Sequence, residues 1–190
     1  MNSYTSCFIG VHIPEKYQQI FEDLLEKIPQ INPLFKQPYL KTPHITVCYL
    51  DKQSQDDLQR IAENVKNYLE ILKGAQLQIG GFGYFREDNP RVLFLDVKCP
   101  KALKEFNEAL TKSLSVYSAT DNKLPFHPHV TVAWVGDPEA QRVFKTHQPE
   151  LQTLLDKIDW TFEITEIVLY GADSAKQPEY HEKLISLEVK

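Results

Sequence analysis

The amino-acid sequence predicts an α+β protein with mostly antiparallel sheets. Short runs of β-branched and aromatic residues alternate with longer stretches whose apolar residues recur at helical spacing. Two strand-like runs, Gln76–Phe85 and Val92–Val97, are joined by a turn around Asp88–Pro90, which is typical of an antiparallel hairpin. No low-complexity tract or flexible linker interrupts the chain, which favours one domain or two lobes that share a core.

The first half of the chain alternates strands and helices. The predicted elements are a strand at Thr5–Ile13, a helix at Glu15–Ile28, a strand at Ile45–Leu50 and a helix from Ser54 to about Leu72. Pro29 is expected to end the first helix, because proline cannot donate the next backbone hydrogen bond. Gly74 is expected to close the second helix, since glycine is common just after a last helical turn.

The elements after the hairpin continue this pattern. They are predicted as a helix at Lys101–Tyr117, a strand at Val130–Val135, a helix at Pro138–Ile158, and strands at Thr161–Tyr170 and Lys183–Val189. Pro149 falls inside the last helix and is a candidate break. Within the hairpin, residues 80–83 (Gly-Gly-Phe-Gly) lack the Lys-Ser/Thr pair of a phosphate-binding loop, so they predict a strand bulge.

Charge and composition limit the classes of function. The net charge is −5, whereas proteins that hold long nucleic acid by its backbone usually carry a basic excess. A nucleic-acid ligand is therefore expected to be gripped at its end or as a short piece. The sequence shows no signal-like leader and no membrane-length apolar stretch, which predicts a soluble, cytoplasmic protein. Cys7, Cys48 and Cys99 lack metal-ligand spacing and lie in apolar runs, so they are interpreted as reduced core residues.

A short repeat carries most of the chemical information in the sequence. Pro-His-Ile-Thr-Val at residues 43–47 recurs as Pro-His-Val-Thr-Val at residues 128–132, and each copy leads into an apolar strand. Alternate residues of a strand share a face, so each histidine points the same way as the threonine two residues later. The pairs are His44 with Thr46 and His129 with Thr131.

This combination of side chains suits the cleavage of a phosphodiester. A neutral imidazole can remove a proton from water or a ribose hydroxyl, and an imidazolium can protonate the departing oxygen. Histidine fits both roles because its ordinary pKa is about 6.5. Threonine hydroxyls can donate to non-bridging phosphate oxygens. The repeat thus predicts His44 and His129 as catalytic residues and Thr46 and Thr131 as substrate-binding residues, without assigning base and acid.

The paired His-x-Thr motif resembles that of the 2H phosphoesterase superfamily. Within it, the chain is similar to the bacterial branch of 2′,5′-RNA ligases and RNA 2′,3′-cyclic phosphodiesterases. Residues 7–14 resemble the first strand of that branch, and residues 125–131 resemble its lead into the second motif. Residues 167–170, followed by Tyr180, resemble its C-terminal strand pair.

The resemblance implies a bilobal fold over residues 1–190, with two antiparallel sheets related by pseudo-twofold symmetry and helices on the outside. One lobe is expected to carry His44 and Thr46, and the other His129 and Thr131. It also implies an enzyme without metal or cofactor, which opens a 2′,3′-cyclic phosphate to a 2′-phosphate or cleaves a 2′,5′ linkage. Reversible 2′,5′ ligation belongs to the same chemistry.

Four further residues are candidates for substrate binding. The resemblance places an aromatic residue of the first strand, Phe8, near the cleft. Tyr180 is a candidate to donate to phosphate or to line a base pocket, with packing as the alternative. His127 is a candidate to act near the site or to make a structural hydrogen bond. Relatives often carry a basic residue shortly after the second threonine, where this chain has Trp134 as a candidate to stack on a base.

Two rival classes of function are compatible with the same residues. One is a metallohydrolase that uses His44, His127 and His129, although few carboxylates lie near either motif. The other is a module that binds a nucleotide or peptide without turnover. Within the enzyme class the substrate stays open between a cyclic phosphate on a nucleotide or short RNA, a 2′,5′-oligoadenylate and a cyclic dinucleotide. We expect a monomer without membrane contact, in which His147 and His181 are solvated.

Overall fold

The computed structural model describes residues 3–38, 42–86, 88–118, 125–173 and 181–190. Its strands and α-helices are β1 Ser3–His12, α1 Gln18–Ile31, β2 His44–Ser54, α2 Gln55–Lys66, β3 Gln76–Tyr84, β4 Val92–Lys98, α3 Lys101–Ser113, β5 His129–Trp134, α4 Pro138–Leu155, β6 Asp159–Glu163, β7 Glu166–Asp173 and β8 His181–Glu188. Short 3₁₀ helices lie at Glu15–Tyr17, Leu69–Leu72 and Ser115–Tyr117. Within these described residues, no helix is long and apolar enough to span a bilayer.

The strands form two four-stranded sheets in the orders β2-β1-β7-β8 and β5-β4-β3-β6. Every described pairing is antiparallel, which confirms the predicted fold class and the β3–β4 hairpin. The segment β1-α1-β2-α2 has the same order of elements as β4-α3-β5-α4. In each sheet the strand that carries a His-x-Thr motif lies at the edge.

The chain crosses from the second sheet to the first between β6 and β7, at Ile164 and Thr165. The prediction of one strand at Thr161–Tyr170 was therefore wrong. Buried apolar residues continue on both sides of the crossing, so the hydrophobic pattern does not reveal it. The backbone stays hydrogen-bonded there, because Ile164 N donates to Ala75 O and Thr165 O accepts from Val189 N.

Neither internal proline ends its helix, so both predicted breaks were wrong. α1 continues through Pro29, which lacks the N–H that would bond to the carbonyl of Leu25. The side-chain amide of Gln37 donates to that carbonyl instead, at 2.8 Å. α4 continues through Pro149, with buried side chains on both sides of it that pack into the core.

The second and third predicted helices are shorter than expected. α2 begins where predicted, because Ser54 Oγ accepts from the backbone N–H of Asp57 at 3.1 Å, as an N-cap does. It ends at Lys66, and Gly74 (φ +69°) follows the short 3₁₀ helix rather than α2 itself. α3 ends at Ser113 in the same way, before a 3₁₀ turn.

The cysteines are only partly as predicted. Cys7 and Cys48 are reduced and buried in the core. Cys99 is exposed, because it follows the end of β4 in the turn before α3. The predicted bulge at residues 80–83 is confirmed: the β3–β4 register shifts between Ile79 and Phe82, and Gly81 takes a φ of +84°.

The two motif strands share a second irregularity. Ile9 and Gly10, which are consecutive residues of β1, pair with Cys48 and Thr46 of β2, so Val47 is an extra residue. Leu93 and Phe94, which are consecutive residues of β4, pair with Ala133 and Thr131 of β5. The extra residue lies at the same position of the second motif. A bulge of this kind shifts the alternation of side chains by one residue. The motif threonine and the aromatic residue three positions later therefore lie on the same face.

Gly83 gives room to an aromatic side chain behind the second motif. A Cβ added at Gly83 would lie 2.2 Å from the ring of its cross-strand partner Phe94. We expect Gly83→Ala to lower the free energy of unfolding by roughly 1–3 kcal/mol, because the buried ring must shift. Urea denaturation measures this loss. Gly136→Ala is the control, since its Cβ would meet no atom within 4 Å. Equal stability of the two variants would contradict the prediction.

Candidate active site

The two histidines of the repeat begin the edge strands of the two sheets. His44 is the first residue of β2 and His129 the first residue of β5. These strands lie next to each other, so the two sheets meet along their motif edges. His44, Thr46, His129 and Thr131 are all partly buried. His129 is close enough to contribute to the electrostatic environment of His44.

Each imidazole makes a hydrogen bond to the backbone carbonyl two residues before it. His44 Nδ1 lies 3.0 Å from Thr42 O, and His129 Nδ1 lies 2.8 Å from His127 O. A carbonyl oxygen can only accept, so Nδ1 carries the proton in each neutral ring and Nε2 is left with its lone pair. Either ring can therefore accept a proton at Nε2, or donate one from Nε2 when it is charged.

The proline in each motif explains this geometry. Pro43 and Pro128 are buried and separate each histidine from the residue whose carbonyl it contacts. A proline ring fixes its own φ, and it restricts the preceding residue to extended conformations. The carbonyls of Thr42 and His127 are thereby directed back toward the imidazoles.

Aromatic rings pack against both histidines. The ring centroid of His44 lies 5.0 Å from that of Phe8 and 5.4 Å from that of Tyr170. The centroid of His129 lies 4.8 Å from that of Phe85 and 5.2 Å from that of Phe94. Phe8 thus lies beside the first histidine as the family resemblance implied, but as a buried support rather than a cleft surface.

Burial sets the charge state of the two imidazoles. It lowers the pKa of His44 to about 4, with smaller contributions in the same direction from His181, His129 and His12. Burial also lowers the pKa of His129, although the His127 carbonyl and Asp96 partly oppose it. Both rings are therefore neutral at pH 7 before a phosphate binds. A bound phosphate anion would raise both pKa values, because an adjacent negative charge favours the imidazolium.

His127 contacts the site with both its backbone and its side chain. Its backbone carbonyl accepts from His129, and its side chain lines the cleft. His127 Nε2 lies 3.1 Å from Asp96 Oδ1, in a half-exposed pair. Asp96 is also the cross-strand partner of His129 in the β4–β5 ladder.

The cleft has a volume of about 830 Å³. It is lined by Thr46, Val47, Tyr49, Phe85, Asn107, Glu108, Thr111, Lys112, Pro125, Phe126, His127 and His129. His44, Thr131 and Trp134 are not among these residues. His44 and Thr131 lie near this lining on β2 and β5, whereas Trp134 lies at the far end of β5 from His129, which gives its stacking role no support. Tyr180 lies outside the described residues, and its role stays a prediction.

Sequence reasoning missed two residues near the histidines. His181, expected to be solvated, is partly buried: its ring centroid lies 5.6 Å from that of Phe8, and its Nε2 lies 3.2 Å from Ser6 O. Tyr49 lines the cleft because of the bulge at Val47. Farther away, His147 was also expected to be solvated, but it contacts the amide of Asn32 at 3.2 Å.

A longer repeat contains the signal that would have found Tyr49. The two copies match over eight residues as Pro-His-aliphatic-Thr-Val-small-aromatic-aliphatic, at residues 43–50 and 128–135. The aromatic positions are Tyr49 and Trp134, which are 36% and 41% exposed. Their shared exposure follows from the shared bulge.

The described residues include no cluster of three or more His, Cys, Asp or Glu side chains that could hold a metal ion. The ring centroids of His127 and His129 are 6.4 Å apart, and His127 Nε2 already contacts Asp96. The metallohydrolase alternative therefore finds no support in this part of the chain.

Solved structures share this fold. E. coli LigT, solved with ATP, superimposes with a TM-score of 0.68 at 16% identity, covering 98% of this chain and 99% of that one. TT0787 of Thermus thermophilus gives a TM-score of 0.64 at 16% identity, covering 100% of this chain and 98% of that one. Both pairs agree in fold at low sequence identity.

Two relatives are similar in sequence. An RNA 2′,3′-cyclic phosphodiesterase of Geobacillus stearothermophilus is 27% identical over 140 residues, which cover 72% of this chain and 42% of that protein. The chain thus spans less than half the length of this relative. An RNA 2′,3′-cyclic phosphodiesterase of Bacillus subtilis is 26% identical over 133 residues, which cover 68% of this chain and 72% of that protein.

The two antiparallel sheets, each with a motif strand at its edge, share the fold of E. coli LigT. The chain belongs to the 2′-5′ RNA ligase superfamily, whose model matches residues 15–176. Both sequence relatives are named as RNA 2′,3′-cyclic phosphodiesterases.

The lowered pKa of His44 predicts how stability depends on pH. Between its ordinary pKa and about 4, the unfolded chain binds a proton that the folded chain does not, so the folded state loses stability as the pH falls. We expect the free energy of unfolding of His44→Gln to fall less than that of wild type over this pH range, by on the order of 1–3 kcal/mol. Urea denaturation of wild type and variant at a series of pH values measures it. Parallel stability curves for the two proteins would contradict the prediction.

Proposed function

We propose that this protein opens 2′,3′-cyclic phosphates on nucleotides or RNA ends to 2′-phosphates without a metal ion. The observation that carries the proposal is the matched pair of imidazoles, each with Nδ1 bonded to a backbone carbonyl and a threonine two residues later. The names of both sequence relatives support the same substrate class.

The reaction requires two proton transfers. One imidazole accepts a proton at Nε2 from water, whose oxygen attacks the cyclic phosphorus. The other, as an imidazolium, donates its Nε2 proton to the ribose 3′-oxygen as the bond from that oxygen to phosphorus breaks. The product keeps the phosphate on the 2′-oxygen, and the two rings have exchanged protonation states. The near equivalence of the two motif copies is compatible with either assignment of base and acid.

The charge of the phosphate couples substrate binding to this chemistry. Before substrate binds, both histidines are neutral, which suits the base but not the acid. The negative charge of the phosphodiester raises the pKa of the neighbouring rings, so one imidazolium forms when substrate is bound. The hydroxyls of Thr46 and Thr131 donate to the non-bridging oxygens and stabilise the charge that develops there.

A 2′,5′ linkage is the second candidate substrate, favoured by the family to which the chain belongs. The same pair of histidines would cleave it when the base deprotonates the adjacent ribose 3′-hydroxyl rather than water, and the reverse reaction is 2′,5′ ligation. 2′,5′-Oligoadenylates and cyclic dinucleotides are therefore the substrates to test next. Turnover separates all of these reactions from a module that only binds.

The first test uses 2′,3′-cyclic AMP in excess EDTA, with chromatography of the product. We expect wild type to form 2′-AMP, whereas His44→Ala and His129→Ala each lose turnover by roughly 10³–10⁴-fold, because each removes a general acid or base. His147→Ala is the matched control, since that histidine lies on α4 and does not line the cleft. Full activity of either motif variant would exclude the two-histidine mechanism, and loss of activity in EDTA would exclude its metal independence.

The threonines are tested by removing the hydroxyl and keeping the branched shape. We expect Thr46→Val and Thr131→Val to lower kcat on the order of a hundredfold, because each removes one donor to the phosphate. Thr153→Val on α4 is the control: its hydroxyl donates to Pro149 O, away from the cleft. Steady-state kinetics with 2′,3′-cyclic AMP measures the change. A rise in KM with unchanged kcat would contradict a role in the transition state.

A further inference from the structure

The cleft continues beyond the histidines along α3. Its far wall is formed by two pairs of residues spaced four apart on this helix, Asn107 with Thr111 and Glu108 with Lys112. The opposite wall is β2, where the bulge at Val47 directs Tyr49 into the groove. We call this part of the cleft the α3 groove. None of these residues takes part in the proton transfers described above.

A direct hydrogen bond fixes the two walls relative to each other. Asn107 Nδ2 donates to the carbonyl of Val47 at 2.7 Å. Val47 is the bulged residue itself, so the bond holds α3 at the point where the strand changes its alternation. The groove is therefore built into the same strand that carries His44 and Thr46.

The chemical character of the cleft changes along its length. The histidine end meets an aromatic middle section formed by Tyr49, Phe85 and Phe126. Lys112 lies on the α3 wall and is the single Lys or Arg among the described lining residues. Glu108 also lines the groove, but its carboxylate lies 4.0 Å from Lys104 Nζ, which partly offsets its charge.

The corresponding edge of the other motif strand is covered. Lys36 pairs with Trp134 through two backbone hydrogen bonds of 2.9 and 2.8 Å. The neighbouring Phe35 is buried. The edge of β5 at Trp134 is therefore paired with the backbone of Lys36, whereas the cleft extends along α3.

We propose that the α3 groove binds the rest of an oligonucleotide whose terminal cyclic phosphate lies at the histidines. Tyr49 and Phe126 stack on the terminal base, and Lys112 pairs with the phosphodiester that joins this nucleotide to the preceding one. The volume of about 830 Å³ is near the upper end of the roughly 300–1,000 Å³ typical of small-ligand sites, which suits more than a mononucleotide. This inference rests on the proposed function and adds to it the residues, Tyr49, Phe126 and Lys112, that hold the terminal base and the phosphodiester next to it.

The acidic character of the chain fits the same interpretation. With a net charge of −5 the protein has no excess of cations to follow a long backbone. One lysine beside an aromatic section can bind one phosphate and one base, which are what the end of an RNA strand presents. We therefore expect little gain in kcat/KM beyond the second or third nucleotide.

The test compares 2′,3′-cyclic AMP with a diadenylate that carries a terminal 2′,3′-cyclic phosphate. We expect wild type to have a kcat/KM about tenfold higher for the diadenylate, as one charge-assisted hydrogen bond provides. Lys112→Ala should abolish most of this ratio. It should also reduce the slope of log kcat/KM against log salt concentration for the diadenylate by about 0.7, the contribution of one phosphate contact on a single strand. A structural effect of the substitution would not change that slope.

The control is Lys101→Ala, which removes the same charge from the same helix but at a residue that does not line the groove. It should keep both the ratio and the salt dependence of wild type. Tyr49→Leu should lower kcat/KM for the diadenylate through loss of stacking. Equal kcat/KM for the two substrates in wild type, or an unchanged ratio in Lys112→Ala, would overturn this inference alone. Turnover of neither substrate would overturn the proposed function.

Discussion

The hydrogen bond from each histidine Nδ1 to the carbonyl two residues earlier is the constraint on which the rest of the site depends. It fixes the tautomer, leaves Nε2 with its lone pair and needs no additional side chain to orient the ring. The preceding prolines restrict the backbone that supplies these carbonyls. Because each histidine and its carbonyl partner are two residues apart, this hydrogen bond depends on the local backbone and forms at the start of both edge strands. Two sheets that meet along such edges then bring the two histidines together.

Burial lowers the pKa of both imidazoles and so raises the free-energy cost of protonating them. Aromatic side chains behind each imidazole exclude water and lower its pKa, which keeps the resting site neutral. These aromatic side chains come from different positions in the two sheets. Phe8 and Tyr170 come from neighbouring strands beside His44, whereas Phe85 and Phe94 flank His129. Glycines provide the space: Gly10 lies against the Tyr170 ring and Gly83 against the Phe94 ring. The approximate symmetry thus extends to the hydrogen bond of each histidine but not to the identity of each supporting residue.

The sequence was informative where the physics is local. Strand alternation placed each histidine with its threonine, the hairpin followed from its turn residues, and Ser54 marked the start of α2. It was less informative where distant contacts decide. Nothing near Pro29 in the sequence indicates that Gln37 satisfies the carbonyl it leaves free. The crossing at Ile164 is hidden because apolar residues serve both sheets in turn. Tyr49 reaches the cleft only because a bulge reverses the alternation that otherwise predicts its side.

The crossing between β6 and β7 has a consequence for how the protein acquires its shape during synthesis. All strands of the second sheet come from one continuous segment, residues 76–163, while the first sheet joins β1 and β2 to β7 and β8 from the far end of the described chain. The inner segment can therefore assemble on the ribosome while β1 still has an unpaired edge. Such edges favour misassociation and pairings of high sequence separation form slowly. Tyr170, which packs beside His44, emerges late, so the nascent chain completes its second histidine environment before its first.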